Sequence, residues 1–206
     1  MPRLARENSL PSFALALEAG AEGIELDVHA TRDGIAVVHH DAALSDGTVI
    51  AEASVAAVRS ASHESVPTLA EVCDLVQGRA ELFVEIKGAA MEQLVLDVMR
   101  GFRGAFAIHS FDHGLLARIH AIDPSLRLGV LFEDTAPDVR VLMNCTGALD
   151  VWPHAPLVTR RLVDEIHADG GRVIAWTVNA PAEVARLARL GVDGLCGDDV
   201  RIFAES

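Results

Sequence analysis

Short apolar segments of strand type alternate with helix-like segments along almost the whole chain, and this alternation limits the fold more than any other feature. Apolar residues at helical spacing mark the segments between the predicted strands. Repeated strand–helix units with apolar strands are typical of a parallel sheet covered by helices, so we predict an α/β fold. The predicted strands are 22–29, 35–39, 81–87, 105–109, 126–132, 149–152, 172–178 and 193–196, and the predicted helices are 9–19, 68–77, 90–101, 112–122, 158–169 and 181–190.

The length of the chain fits one domain. With 206 residues, we predict a single domain over residues 1–206 that can bury a substantial core. Segment 35–39 is treated as an extension of the strand before it, which leaves seven core strands. Residues 42–66 are predicted to be the least regular stretch, with a turn at residues 45–47.

Composition excludes several classes of partner. The net charge of −13 argues against nucleic acid or an anionic membrane surface as a partner. No apolar run approaches the length of a membrane span, and no signal peptide is recognisable. Cys73, Cys145 and Cys196 lack metal-site spacing and are odd in number, so we expect thiols in a reducing compartment, the cytoplasm. The oligomeric state is left open.

Two carboxylates share one face of a predicted strand. Successive side chains of a strand point to opposite faces, so Glu25 and Asp27 project together, whereas Ile24, Leu26 and Val28 point the other way. Neighbouring carboxylates repel each other and are costly to desolvate, and a hard divalent cation compensates for both effects. A solvated acidic face of an edge strand is the alternative for this strand taken alone.

A second strand repeats the pattern. Glu85 and Lys87 lie two residues apart on an otherwise apolar strand and therefore share a face. They suggest a third carboxylate for the metal and a cation for an anionic ligand. His40, thirteen residues after Asp27, supplies a proton donor or acceptor. This combination resembles the site of a divalent-metal phosphodiesterase.

An ordered series of short motifs resembles the glycerophosphodiester phosphodiesterase family. The motifs run from residue 7 to about residue 199, and their order makes the set specific although each one is weak. They are Glu7-Asn8-Ser9 and the segments 23–28, 31–34, 37–41, 66–72, 84–87, 110–112, 176–179 and 191–194.

The resemblance implies a TIM (β/α)8 barrel with catalytic residues at the carboxyl ends of the strands. It also implies hydrolysis of a small-molecule glycerophosphodiester to glycerol 3-phosphate and an alcohol. By the same resemblance, Glu25, Asp27 and Glu85 bind one Mg²⁺ or Ca²⁺, and His40 is the acid or base. Lys87 binds the phosphate of the substrate, and Trp176 forms an apolar wall at its glycerol end.

The sequence departs from the family pattern at its start. Family members carry a His-Arg-Gly tripeptide after their first strand, with a catalytic histidine, and this chain has no such tripeptide. We expect the first barrel strand to be missing with it, through a start assigned too far downstream or through a natural loss. Two alternative functions stay open: a catalytically impaired phosphodiester-binding barrel, and a phospholipase D-like phosphodiesterase on the same scaffold.

Overall fold

The computed structural model describes residues 1–62, 66–134 and 138–204. Contacts within the chain divide it into two compact units, residues 1–106 and residues 107–206. The two units are described separately below, and the single domain predicted from the chain length stays a prediction.

The first unit carries three strands. Its central strand pairs in parallel with the third strand, where Asp27 lies opposite Glu85, and antiparallel with the second, where Val28 lies opposite Val38. The second strand is thus the predicted extension of the first. The elements are α1 (Leu10–Glu18), β1 (Gly23–Ala30), β2 (Ala36–Val38), a 3₁₀ helix (Ile50–Glu52), α2 (Val55–Ala61), α3 (Leu69–Val76), β3 (Glu81–Ile86) and α4 (Glu92–Met99).

Alternation along β1 determines which side chains enter the core. Ile24, Leu26 and Val28 are almost completely buried, as the period of two predicts. Just before this strand, α1 begins after Ser9, whose hydroxyl accepts a hydrogen bond from the Ser12 main-chain N–H. The cap fixes where the chain turns into α1 and therefore where the residue before it, Asn8, lies.

The described part of segment 42–66, which is residues 42–62 and residue 66, is more regular than the sequence indicated. The predicted turn is present, with Gly47 at a φ of 89° that favours glycine. The prediction missed the 3₁₀ helix and α2, because α2 buries only Val58 and so shows almost no helical periodicity in its apolar residues. Both helices contribute to a small apolar cluster of Val37, Leu44, Ile50, Val58 and Val66.

The second unit consists of strand–helix repeats. Its strands form a parallel series in chain order from β4 to β8. The prediction missed α6, the short α9 and the second 3₁₀ helix. The elements are β4 (Phe106–Ser110, which begins at the boundary of the units), α5 (His113–Ile122), β5 (Leu128–Phe132), α6 (Val139–Thr146), β6 (Asp150–Pro153), a 3₁₀ helix (Ala155–Leu157), α7 (Arg160–Ala168), β7 (Arg172–Ala175), α8 (Pro181–Leu190), β8 (Gly194–Leu195) and α9 (Arg201–Ala204).

A buried ion-pair cluster holds the amino ends of three strands of this unit together. Asp150 is fully buried and accepts hydrogen bonds from Arg127 Nε at 2.8 Å and from Arg172 Nη2 at 2.7 Å.

Leaving out β2, the described residues form seven strands, the number predicted. None of the helices described is both long and apolar enough to span a membrane.

Candidate active site

The carboxyl ends of β1 and β3 bring the predicted acidic residues together. Asp27 and Glu85 are register partners, and both contact the ammonium group of Lys87, whose Nζ lies 3.2 Å from Asp27 Oδ1 and 3.1 Å from Glu85 Oε1. Carboxylate oxygens of Glu25 and Glu85 lie within 4.8 Å of each other. The first unit therefore brings Glu25, Asp27, Glu85 and Lys87 into one cluster.

Negative charge exceeds positive charge in this cluster. Burial, and then the neighbouring charge of Asp27, raise the pKa of Glu25 to about 8. Burial alone would lower the pKa of Lys87, but the charges of Asp27 and Glu85 outweigh it and raise that pKa, so the ammonium stays charged. Carboxylate oxygens are the ligands that a hard divalent cation such as Mg²⁺ or Ca²⁺ prefers, and Glu25 and Glu85 offer such oxygens within 4.8 Å of each other. These acidic residues fit a divalent cation, and its binding by Glu25, Asp27 and Glu85 stays a prediction.

Asn8 holds Asp27 from two sides, a contact that the sequence analysis missed. Asn8 Nδ2 donates to Asp27 Oδ2 at 2.7 Å, and Asn8 Oδ1 accepts from the Asp27 main-chain N–H at 3.1 Å. Asn8 is 9% exposed and has a φ of 52°, a conformation that asparagine tolerates better than most residues. The position of Asn8 in a family-like motif was the only sequence signal, because no local pattern connects it to β1.

His40 follows β2 and presents a half-exposed imidazole. Its Nδ1 lies 2.8 Å from Asp41 Oδ1, and 54% of the side chain is exposed. The hydrogen bond to Asp41 raises the pKa of His40. Since a carboxylate only accepts, Nδ1 carries the hydrogen of this bond, and Nε2 is the nitrogen left to exchange a proton.

Main-chain and side-chain groups of β1 anchor the segment that carries His40. The His39 main-chain N–H donates to the Asp27 carbonyl at 3.0 Å. His29, which is 8% exposed, places Nε2 3.2 Å from the carbonyl oxygen of His40. Burial lowers the pKa of His29. The period of two could have identified His29, because it places this residue on the face of Glu25 and Asp27.

Trp176 belongs to the second unit and directly follows β7. Its Nε1–H donates to the Trp152 carbonyl at 2.9 Å. Phe111 packs against the indole in a T-shaped arrangement with ring centroids 5.7 Å apart, and the His154 ring lies at 5.5 Å. The indole is therefore held in one orientation by a hydrogen bond and two ring contacts.

Comparison with proteins of known sequence or structure identifies the family. Residues 1–202 match the model of the glycerophosphoryl diester phosphodiesterase family. A glycerophosphodiester phosphodiesterase of Bacillus altitudinis is 30% identical over 93% of this chain and 89% of its own length, and one of Caldanaerobacter subterraneus subsp. tengcongensis is 29% identical over 94% and 88%.

Solved structures extend the similarity to the fold. The glycerophosphodiester phosphodiesterase of Thermotoga maritima has a TM-score of 0.88 and 25% identity, covering 98% of this chain and 93% of its own. A phosphodiesterase of Oleispira antarctica has a TM-score of 0.86 and 23% identity, covering 97% and 90%. The predicted α/β fold of the TIM-barrel class is confirmed. The chain belongs to the glycerophosphoryl diester phosphodiesterase family, whose members are phosphoric diester hydrolases.

Proposed function

We propose that this chain hydrolyses glycerophosphodiesters to glycerol 3-phosphate and an alcohol, using one divalent cation, Mg²⁺ or Ca²⁺. The observation that carries the proposal is the cluster on β1 and β3, where Asp27 and Glu85 contact the Lys87 ammonium and Glu25 lies beside them. The structure of the Oleispira antarctica phosphodiesterase contains sn-glycerol-3-phosphate as the product, which supports the same product here.

Glu25, Asp27 and Glu85 would hold the cation. When bound, the cation supplies positive charge that polarises a phosphoryl oxygen and stabilises the charge developing around phosphorus. Lys87 contributes a second positive charge, because its raised pKa keeps the ammonium protonated at neutral pH. Asn8 keeps the Asp27 carboxylate oriented toward the cluster through its 2.7 Å hydrogen bond.

His40 transfers the proton that hydrolysis requires. Water adds to phosphorus and gives up one proton, the P–O bond to the alcohol breaks, and the alkoxide that leaves takes up one proton. His40 Nε2 gives or takes a proton in this exchange, while Asp41 holds Nδ1 and so fixes the orientation of the ring. The exposure of the imidazole gives substrate and water access to Nε2.

Trp176 is proposed to bind substrate through the apolar face of its indole, as the family resemblance implies. Its fixed orientation supports this role, because a preorganised aromatic surface loses little entropy when a ligand packs against it. Trp176→Ala is expected to raise KM more than it lowers kcat, and an unchanged KM would remove Trp176 from the substrate site.

All three cysteines carry thiols, which supports the proposed cytoplasmic location.

The test measures glycerol 3-phosphate release from glycerophosphocholine and glycerophosphoglycerol, after treatment with a chelator and with Mg²⁺ or Ca²⁺ added back. Asp27→Asn should lose metal binding and turnover together. His40→Ala should keep its metal affinity but lose about 10²- to 10⁴-fold in kcat, the usual contribution of a positioned acid or base.

His167→Ala provides a matched control for His40→Ala. His167 is also a partly exposed histidine with a carboxylate partner, Asp193, at 2.8 Å, but it belongs to α7 and to no part of the proposed site. Its substitution should leave turnover unchanged. Full activity of His40→Ala would refute the acid/base role, and activity insensitive to chelation would refute the metal requirement.

A further inference from the structure

We propose that His29 is a positioning residue for His40: its Nε2–H donates to the main-chain carbonyl of His40 and fixes the backbone from which the imidazole projects. The inference rests on the proposed function, in which His40 transfers a proton. His29 touches no substrate in this role and acts only through His40.

The chemistry of the contact fixes its direction. His29 Nε2 lies 3.2 Å from the His40 carbonyl oxygen, and a carbonyl oxygen only accepts hydrogen bonds. Nε2 must therefore carry the hydrogen. His29 is 8% exposed, so water competes little for this bond.

The contact is one of two anchors that β1 provides to this segment. The other is the hydrogen bond from the His39 main-chain N–H to the Asp27 carbonyl, at 3.0 Å. Together the two bonds attach the chain to β1 on both sides of the His40 α-carbon. Asp41 in turn holds the His40 ring at Nδ1, so backbone and imidazole are held by different groups.

This separation gives His29 a specific consequence. Displacement of a catalytic group by about 1 Å can cost about 10²-fold in rate, because proton transfer needs a near-attack geometry. Loss of the His29 bond would release the carbonyl of His40 while leaving the carboxylates of Glu25 and Asp27 in place. It should therefore lower kcat and leave metal affinity and KM nearly unchanged.

Two amide variants test the inference as a matched pair. The side-chain nitrogen of His29→Gln reaches about as far from the backbone as Nε2, whereas that of His29→Asn is one methylene shorter and stops near the position of Nδ1. We expect His29→Asn to lose about 10- to 100-fold in kcat with KM within about twofold, and His29→Gln to recover most of that loss.

His40→Ala, measured in parallel, separates this inference from the proposed function. If His40→Ala loses turnover but His29→Asn does not, the positioning role is refuted while the acid/base role stands. If His40→Ala keeps turnover, the acid/base role itself fails. If His29→Asn and His29→Gln lose the same amount of activity and the same amount of thermal stability, His29 has only a structural role, and the inference is refuted.

A spectroscopic comparison decides the question without turnover. The ring nitrogens of His40 report the hydrogen bond to Asp41 in ¹H–¹⁵N spectra that correlate ring protons with nitrogens. We expect the wild-type pattern, with hydrogen on Nδ1, in His29→Gln and a shifted or averaged pattern in His29→Asn. Identical His40 resonances in both variants and the wild type would overturn the inference.

Discussion

Substitution of Asn8 should weaken both the fold and the proposed metal site, because this one amide satisfies two groups of Asp27. In Asn8→Ala, the buried main-chain N–H of Asp27 loses its acceptor, which costs about 1–3 kcal/mol. The charge-assisted bond to Asp27 Oδ2 is worth about 1.5–3 kcal/mol.

The backbone conformation of Asn8 adds a further cost. Alanine held at the observed φ of 52° loses about 1–2 kcal/mol relative to an ordinary conformation. Because neighbouring contributions are not fully additive, we expect Asn8→Ala to lower the free energy of unfolding by about 3–5 kcal/mol. Asn8→Gly loses the same side-chain contacts without the φ cost, so it should be about 1 kcal/mol less destabilised.

Urea unfolding measures the stability change, and calorimetric titration with Mg²⁺ or Ca²⁺ measures metal binding. A ligand that loses its orienting partner typically binds metal about 10- to 100-fold more weakly, and we expect this loss in both variants. The reasoning would be refuted if Asn8→Ala unfolded within 1 kcal/mol of the wild type and bound metal with unchanged affinity.

Three further predictions follow from contacts in the two units. In steady-state kinetics, Lys87→Met should raise KM by about 10- to 100-fold, because one charge-assisted contact to the substrate phosphate contributes about that much to binding. Lys87→Arg should retain part of the affinity for the substrate. Asp41→Asn should lower the pKa of His40 toward its ordinary value in an NMR titration, because the carboxylate that favours the imidazolium is gone; an unchanged pKa would contradict this. Asp150→Asn should cost about 3 kcal/mol of unfolding free energy, the lower end for breaking a buried pair because both arginine partners are partly exposed, and a loss below 1 kcal/mol in urea would contradict it.

Sequence periodicity and end signals were sufficient for the regular elements that carry them. Helix α8 was predicted at its exact bounds, because Pro181 opens it and Gly191 ends it with a φ of 78°. Helix α6 was missed although Asp138 caps its start and Gly147 its end, because its apolar residues include the exposed Val141 and do not mark one face at helical spacing.

The same limit applies to the site. The orientation of Glu25, Asp27 and Glu85 could be predicted because strand alternation places side chains on a face without knowledge of the rest of the fold, whereas their binding of a metal stays a prediction. The contact of Asn8 with Asp27 spans nineteen residues and depends on how α1 turns into place, which no local pattern encodes. The hydrogen bond of His29 depends likewise on the path of the chain after β2.

Strand β1 connects the two chemical functions of the proposed site. Its Asp27 side chain belongs to the carboxylate cluster, while its Asp27 carbonyl anchors the main chain just before His40. Two residues further on, His29 holds the carbonyl of His40. A shift of β1 would therefore move the proposed metal ligand Asp27 and the proposed proton-transfer group of His40 together, whereas substitutions at Asn8 and His29 should act on one function each. For this reason the two substitutions should affect metal affinity and kcat separately, and their effects on the free energy of transition-state stabilisation should add.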